Sequence, residues 1–224
     1  MKRATAGMIL WLGLAAGVWG QIDGGALKSA AGGGKAVADP LEPVNRVFFQ
    51  FNDRLYFWVL KPVATGYEYV LPEPARVGVR NAFSNLTTPG RLVNCLLQGD
   101  GAGAWTEMKR FAVNTTWGVA GFGDPAGKHL DLEKQKEDTG QTLGRYGAGA
   151  GIAITWPVFG PSNVRDTVGR AGDYFLDPVT YLLDSTGARL ALSGGERVND
   201  TSLRLGEYED FKKSALDPYI AMRD

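Results

Sequence analysis

Apolar residues recur at Leu41, Val44, Phe48, Phe51, Leu55 and Trp58, in steps that alternate between three and four. That spacing sets them along one stripe of an α-helix. Glu42, Arg46, Gln50, Asp53 and Arg54 fall on the opposite side, while Phe49, Tyr56, Phe57 and Leu60 lie off the stripe and widen the apolar surface. Asp39-Pro40-Leu41-Glu42 reads as the helix start, with an Asp cap, Pro in the first turn and Glu three residues after the Asp. Lys61-Pro62 reads as its end. An ordinary core-facing helix accounts for the periodicity by itself. The off-stripe aromatics support a helix that meets both core and lipid, because Trp and Tyr favour membrane interfaces. Phe49, Tyr56, Phe57 and Trp58 are therefore the candidates to face a membrane.

Shorter, punctuated helices follow. Pro72 and Pro74 bracket a start for residues 75–86, and Pro89 opens another helix to about Gln98. Asp100 caps the next, on which Ala104, Met108, Phe111 and Thr115 share a face and which Gly118 stops. Residues 118–127 are a Gly-rich turn region, and residues 128–138 carry a charge run. Residues 152–156 form a short extended stretch closed by Pro157. Ser162-Asn163 caps a helix over 164–175, and Asp177-Pro178 caps another through Leu183. Residues 187–193 and 202–216 read as helical, with Glu209 and Lys213 as an i,i+4 pair. The chain is thus mostly α.

The N-terminus follows other rules. Lys2 and Arg3 precede an uncharged run over residues 8–19, too short for a membrane-spanning helix and suited to a secretory signal. Small residues Val18 and Gly20 place cleavage before Gln21, so residues 1–20 are expected to be an export signal. Gln21 stands where a bacterial lipoprotein signal would carry its lipidated Cys. It has no thiol, so attachment to a membrane is expected to come from the folded protein's own apolar surface. Residues 21–38, rich in Gly, Ala and Ser, read as a flexible linker to one folded unit over 39–224.

Composition removes several function classes. Among 224 residues, Lys+Arg and Asp+Glu both number 24, so the electrostatic footprint of a nucleic-acid binder is missing. One His and one Cys leave too few ligands for ordinary zinc or iron–sulfur chemistry, and one Cys forms no internal disulfide. No cofactor is implied. Cys95, in an apolar run with no basic neighbour, reads as a packing residue. His129 reads as a solvated side chain on a polar loop. A Ser-His-Asp hydrolase would need this one His, and the chain has no G-x-S-x-G.

Residues 144–161 combine Gly144, Gly147, Gly149 and Gly151 with the apolar stretch that ends at Trp156-Pro157. No phosphate-binding lysine follows the glycines, so a nucleotide loop is not indicated. A tight hairpin whose glycines only serve turns and a mobile apolar flap fit this pattern equally.

A set of ordered motifs then resembles one family. Residues 39–52 resemble the opening motif of the MlaA (VacJ) family, which maintains outer-membrane lipid asymmetry. The likeness continues through Leu71-Pro-Glu-Pro-Ala-Arg76, Val93-Asn-Cys-Leu-Leu-Gln-Gly-Asp100 and residues 110–126. It extends through residues 140–149, Trp156-Pro-Val-Phe-Gly-Pro161, Asn163-Val-Arg-Asp166 and Asp217-Pro-Tyr219. The resemblance implies a ring of short amphipathic helices in the inner leaflet of the outer membrane, around an amphipathic pore. It implies a channel that removes phospholipid from the outer leaflet and passes it to a soluble periplasmic phospholipid carrier. It also implies a trimeric porin as neighbour. Residues 144–161 align with the family's gating hairpin, so the four glycines inherit a hinge role. Gln50, Phe51 and Asn52 align with a first-helix position that influences the open or closed state. The alternative is a porin-associated scaffolding protein without lipid transfer of its own. A phospholipase acting through a serine and His129 is the weak enzymatic rival.

Overall fold

The computed structural model describes residues 39–224. The expected export signal and linker lie outside these residues. Helix α1 (Glu42–Leu55) runs into a single π turn (Tyr56–Leu60) and then α2 (Lys61–Val70). Helices α3 (Glu73–Leu86), α4 (Thr88–Leu97), α5 (Gly101–Thr116), α6 (Pro125–Leu130) and α7 (Thr139–Arg145) follow. An antiparallel hairpin of β1 (Ala153–Trp156) and β2 (Gly160–Asn163) comes next, with Trp156 opposite Gly160. The chain closes with α8 (Val164–Leu176), α9 (Val179–Leu182), α10 (Thr186–Ser202), α11 (Glu207–Ser214) and α12 (Pro218–Arg223).

Three local expectations are corrected. Lys61-Pro62 does not end the first helix. The π turn lets the Lys61 N–H bond to the carbonyl of Tyr56, five residues back, and the widened turn accepts the proline ring at the start of α2. The Asp39 side chain does not cap α1. Its carboxylate instead accepts from Asn45 Nδ2 at 2.8 Å and from the Tyr219 hydroxyl, tying the first helix to the last. Glu209 does not pair with Lys213; it takes Lys61 at 2.5 Å and the Tyr56 hydroxyl at 3.0 Å, whereas Lys213 reaches Asp210. Tertiary partners outcompete a weak exposed helical pair. The two expected late helices are also drawn differently, since residues 186–202 form one long helix. Asp100, Asn163 and Asp177 do cap as expected, each accepting a backbone N–H.

Packing contacts follow a closed circuit. Helix α1 lies on the hairpin, the hairpin on α8, and α8 on α4 and α7. Helix α4 meets α3 and α5, α3 meets α10, α10 meets α2, and α2 returns through the π turn to α1. Helices α7 and α8 cross in close backbone contact. A Cβ on Gly169 would stand 2.3 Å from the backbone nitrogen of Gly140, so only two glycines allow the backbones this close.

The fully buried side chains are largely polar. The largest fully buried side chains are Glu107, Asn45, Asn94, Asn199, Thr88 and Cys95. The apolar cluster is small and aromatic: Tyr56, Tyr208 and Phe211, with Phe57, Leu60 and Met222 against it. Large apolar side chains instead stand outside, Tyr69 at 93%, Trp58 at 75% and Trp117 at 74% exposure among them. A water-soluble domain has the opposite distribution, because burying polar groups costs free energy that only paired hydrogen bonds offset. No helix among the described residues is long and apolar enough to cross a membrane.

Candidate functional site

Three groups of polar and charged residues stand out. The first is a pair of asparagine clasps between α1 and the hairpin. Asn45 Nδ2 donates to Ala153 O at 3.0 Å, and its Oδ1 accepts the Thr155 N–H at 2.7 Å. One heptad later, Asn52 Nδ2 donates to Trp156 O at 2.9 Å and its Oδ1 accepts the Val158 N–H at 2.6 Å. Each side-chain amide thus pairs with the hairpin as an extra strand would. The second clasp holds a strained turn, since Val158 sits at φ 71°, a left-handed conformation that β-branched residues avoid.

The second part is a strap over residues 131–138, laid across α4 and α5 by buried charges. Glu107 on α5 is fully buried and pairs with Arg91 of α4 at 2.8 Å. Its other oxygen accepts the Gln135 N–H at 2.7 Å. Arg110 donates to Leu132 O and holds Asp124 at 3.0 Å. Gln98 adds a bond to Glu137 at 2.6 Å. A buried carboxylate needs such partners, and here they are also what fixes the strap.

The third part is a set of charged groups that water reaches but protein surrounds. Lys134, on the strap, is exposed, yet burial holds its ammonium down to about 8. On α10, Glu196 is pushed up to about 7, first by burial and then by Asp200 and Asp177, while burial brings Arg197 down to about 10. Arg170 of α8 is lowered for the same reason, and Asp173 and Asp177 are raised by burial. These groups also feel one another: Lys134 and Arg197 act on Glu196, and Arg170 acts on Arg197. Arg197 reaches the hairpin tip as well, donating to Val158 O at 3.4 Å. Clusters of perturbed charges are candidates for functional positions.

The residues singled out in the sequence are distributed as follows. Of Gln50, Phe51 and Asn52, the first two are exposed and Asn52 alone bonds to the hairpin. The four glycines precede the hairpin instead of lying within it. Gly144 belongs to α7, and Gly147 (φ 91°), Gly149 and Gly151 (φ 75°) form the lead-in to β1. Among the aromatic candidates, Tyr56 turns inward to the core at 5% exposure, the opposite of a membrane-facing position. Its hydroxyl bonds to Glu209, which draws the ring in. Phe49 is half-buried against Tyr219 and Phe57 against Tyr56, so Trp58 is the exposed member of the four. Cys95 is buried, its thiol pushed up to about 11 by burial.

Sequence reasoning missed Asn45, Glu107, Lys134, Glu196 and Arg197. Only Asn45 carried a signal: it repeats at Asn52 one heptad on, and Asn is a poor helix former without a bonding reason to be there. The charged groups carried none, because their meeting depends on the circuit of contacts.

Comparison with known proteins gives concordant results. Residues 37–224 match the family model described as MlaA lipoprotein. The chain is 34% identical over 191 residues to the Intermembrane phospholipid transport system lipoprotein MlaA of Escherichia coli (strain K12), covering 84% of this chain and 74% of that one. It is 32% identical over 193 residues to the protein of the same name from Haemophilus influenzae, covering 83% and 75%. A solved structure described as the structural basis for maintenance of bacterial outer membrane lipid asymmetry superposes with a TM-score of 0.70 at 33% identity. That match covers 82% of this chain and 92% of the other.

Proposed function

Because this chain belongs to the MlaA family, we propose that it moves phospholipid within an intermembrane transport system that maintains outer-membrane lipid asymmetry. In this reading the contact circuit is an annulus held in one membrane leaflet by its apolar exterior. Phospholipid leaves the outer leaflet through the centre of this annulus and passes to a soluble periplasmic carrier, beside a trimeric porin. The hairpin over residues 153–163 is the gate. Gly147, Gly149 and Gly151 are its hinge, and Asn45 and Asn52 hold it closed.

One observation carries the reading: large apolar side chains such as Trp58, Tyr69 and Trp117 are exposed, while the fully buried side chains, Glu107, Asn45 and Asn199 among them, are largely polar. A charged headgroup crosses hydrocarbon slowly because it must shed its water. A wet charged wall removes most of that cost, and the acyl chains remain against apolar surface meanwhile. No bond breaks, so no nucleophile or metal is required. With Gln21 in place of a lipidated Cys, the apolar rim supplies the attachment.

The test is direct. Vesicles carrying labelled phospholipid in one leaflet are made with and without the full protein, and arrival of label in the opposite leaflet and on a soluble carrier is followed. Faster arrival supports transport. Arrival at the protein-free rate, with porin still captured, replaces it with the scaffolding role.

A further inference from the structure

The first and last of the motifs shared with the family, residues 39–52 and 217–219, meet in the fold at the root of the hairpin. Helix α1 packs on β1, and α12 touches β2. The two helices are also joined directly. Arg46 pairs with Asp217 at 2.8 Å and stands over the Tyr219 ring at 4.6 Å, and Phe49 meets the same ring edge-on at 5.8 Å. These contacts set the Tyr219 hydroxyl on the Asp39 carboxylate, whose other oxygen takes Asn45 Nδ2 at 2.8 Å. Arg223 stands 3.8 Å from the same carboxylate. Asn45, the Asp39 side chain and Tyr219 are 1%, 2% and 4% exposed, so water does not stand in for any of these partners.

The order of these partners matters because the two ends of an asparagine amide have the same shape and opposite chemistry. Asn45 gives one N–H to Asp39 and the other to Ala153 O at 3.0 Å, while its Oδ1 accepts from Thr155 at 2.7 Å. Turned over, its Nδ2 would face the Thr155 N–H, donor against donor. An ionised carboxylate accepts and does not donate, so Asp39 keeps Nδ2 on its own side and Oδ1 toward Thr155. The Tyr219 hydroxyl, kept protonated by burial and by Asp39, holds that carboxylate in place. We infer that Tyr219 is a positioning residue for the hairpin: through Asp39 it fixes the orientation of Asn45, so the last helix sets how firmly the hairpin root is clasped. The consequence for lipid passage rests on the reading of the hairpin as a gate; the positioning itself does not.

The experiment uses the full protein in detergent micelles. Tyr219→Phe removes the hydroxyl and keeps the ring that Arg46 and Phe49 contact. Amide exchange at Thr155, whose N–H Asn45 binds, should quicken about tenfold, as loss of one charge-assisted hydrogen bond behind the clasp predicts. Asp39→Asn, whose amide both donates and accepts, leaves the orientation of Asn45 unfixed and should give a similar increase. Exchange at Thr139, held by Asp173 between α7 and α8, should stay within about twofold of wild type in both. On an Asn45→Ala background Tyr219→Phe should add nothing at Thr155, because the residue it acts through is gone. Thr155 exchange that stays at the wild-type rate in Tyr219→Phe overturns the positioning role, as does an increase that persists on the Asn45→Ala background. A lowered melting temperature with equal acceleration at Thr139 and Thr155 assigns Tyr219 to global stability and overturns it too. Lipid movement in the vesicle assay decides the gate separately: a changed rate in Tyr219→Phe supports it, and an unchanged rate beside faster Thr155 exchange refutes the gate while the positioning role stands.

Discussion

Replacing Asn52 with Ala removes two hydrogen bonds at once, 2.9 Å to Trp156 O and 2.6 Å from Val158 N. A typical bond contributes a net ~0.5–1.5 kcal/mol, and a stranded buried partner costs about 1–3 kcal/mol more. Both bonds are only partly buried, so water satisfies much of what is left unpaired, and Val158 is itself 47% exposed. About 2 kcal/mol is therefore expected, expressed as opening of the hairpin tip and not as unfolding. That is roughly a 30-fold faster amide exchange at Val158. Asn45→Ala differs, because Asn45 is 1% exposed and both of its hairpin bonds are buried. There the stranded Ala153 carbonyl and Thr155 N–H meet no water, so the loss is about 3–4 kcal/mol and lowers global stability. Asn52→Asp separates the two roles, since it keeps the acceptor for Val158 and sets an oxygen against Trp156 O. Hydrogen exchange on the three variants, paired with lipid movement, is the assay. If Asn52→Ala leaves Val158 exchange within twofold of wild type, the clasp does not hold the tip and the gate assignment fails.

Three further outcomes follow from the same geometry. Burial raises the proton affinity of Glu196 in the fold, from an ordinary pKa of 4.5 to about 7. Unfolding releases that proton, so stability present below pH 4.5 is lost as pH rises to 7. Thermal melts across pH 4–9 should show that decline in the wild type and its disappearance in Glu196→Gln. Arg91→Met strands the fully buried Glu107 and should cost about 3–5 kcal/mol, and adding Glu107→Gln should recover part of it in denaturant titrations. The double variant Trp58→Ser, Trp117→Ser changes two side chains that are about three-quarters exposed, so folding should shift by no more than about 0.5 kcal/mol per site. Co-flotation with liposomes should nonetheless weaken, and unchanged flotation would show that these positions do not contact the bilayer.

Much of the helical plan was legible in the chain because it depends on neighbours. The caps at Asp100, Asn163 and Asp177 bond within a few residues, so local chemistry decided them. The heptad stripe of α1 was equally plain, but which side faced inward was not. Periodicity measures an angle around a helix axis and carries no reference to what lies outside it. Val44, Phe51 and Trp58 proved to be exposed, with Asn45 and Asn52 buried beside them. Tyr56 was misplaced because its partner, Glu209, lies in α11, far along the chain.

The sequence by itself therefore determined a mostly helical chain, its breaks and caps, and, through ordered motifs, its family. Only the tertiary structure decided that the fully buried side chains are largely polar, that Asn45 and Asn52 clasp the hairpin, and that Glu107 fixes the strap over residues 131–138. The physical reason is range. Hydrogen bonds along a helix are set within four residues, whereas desolvation and charge depend on every segment folded around a group.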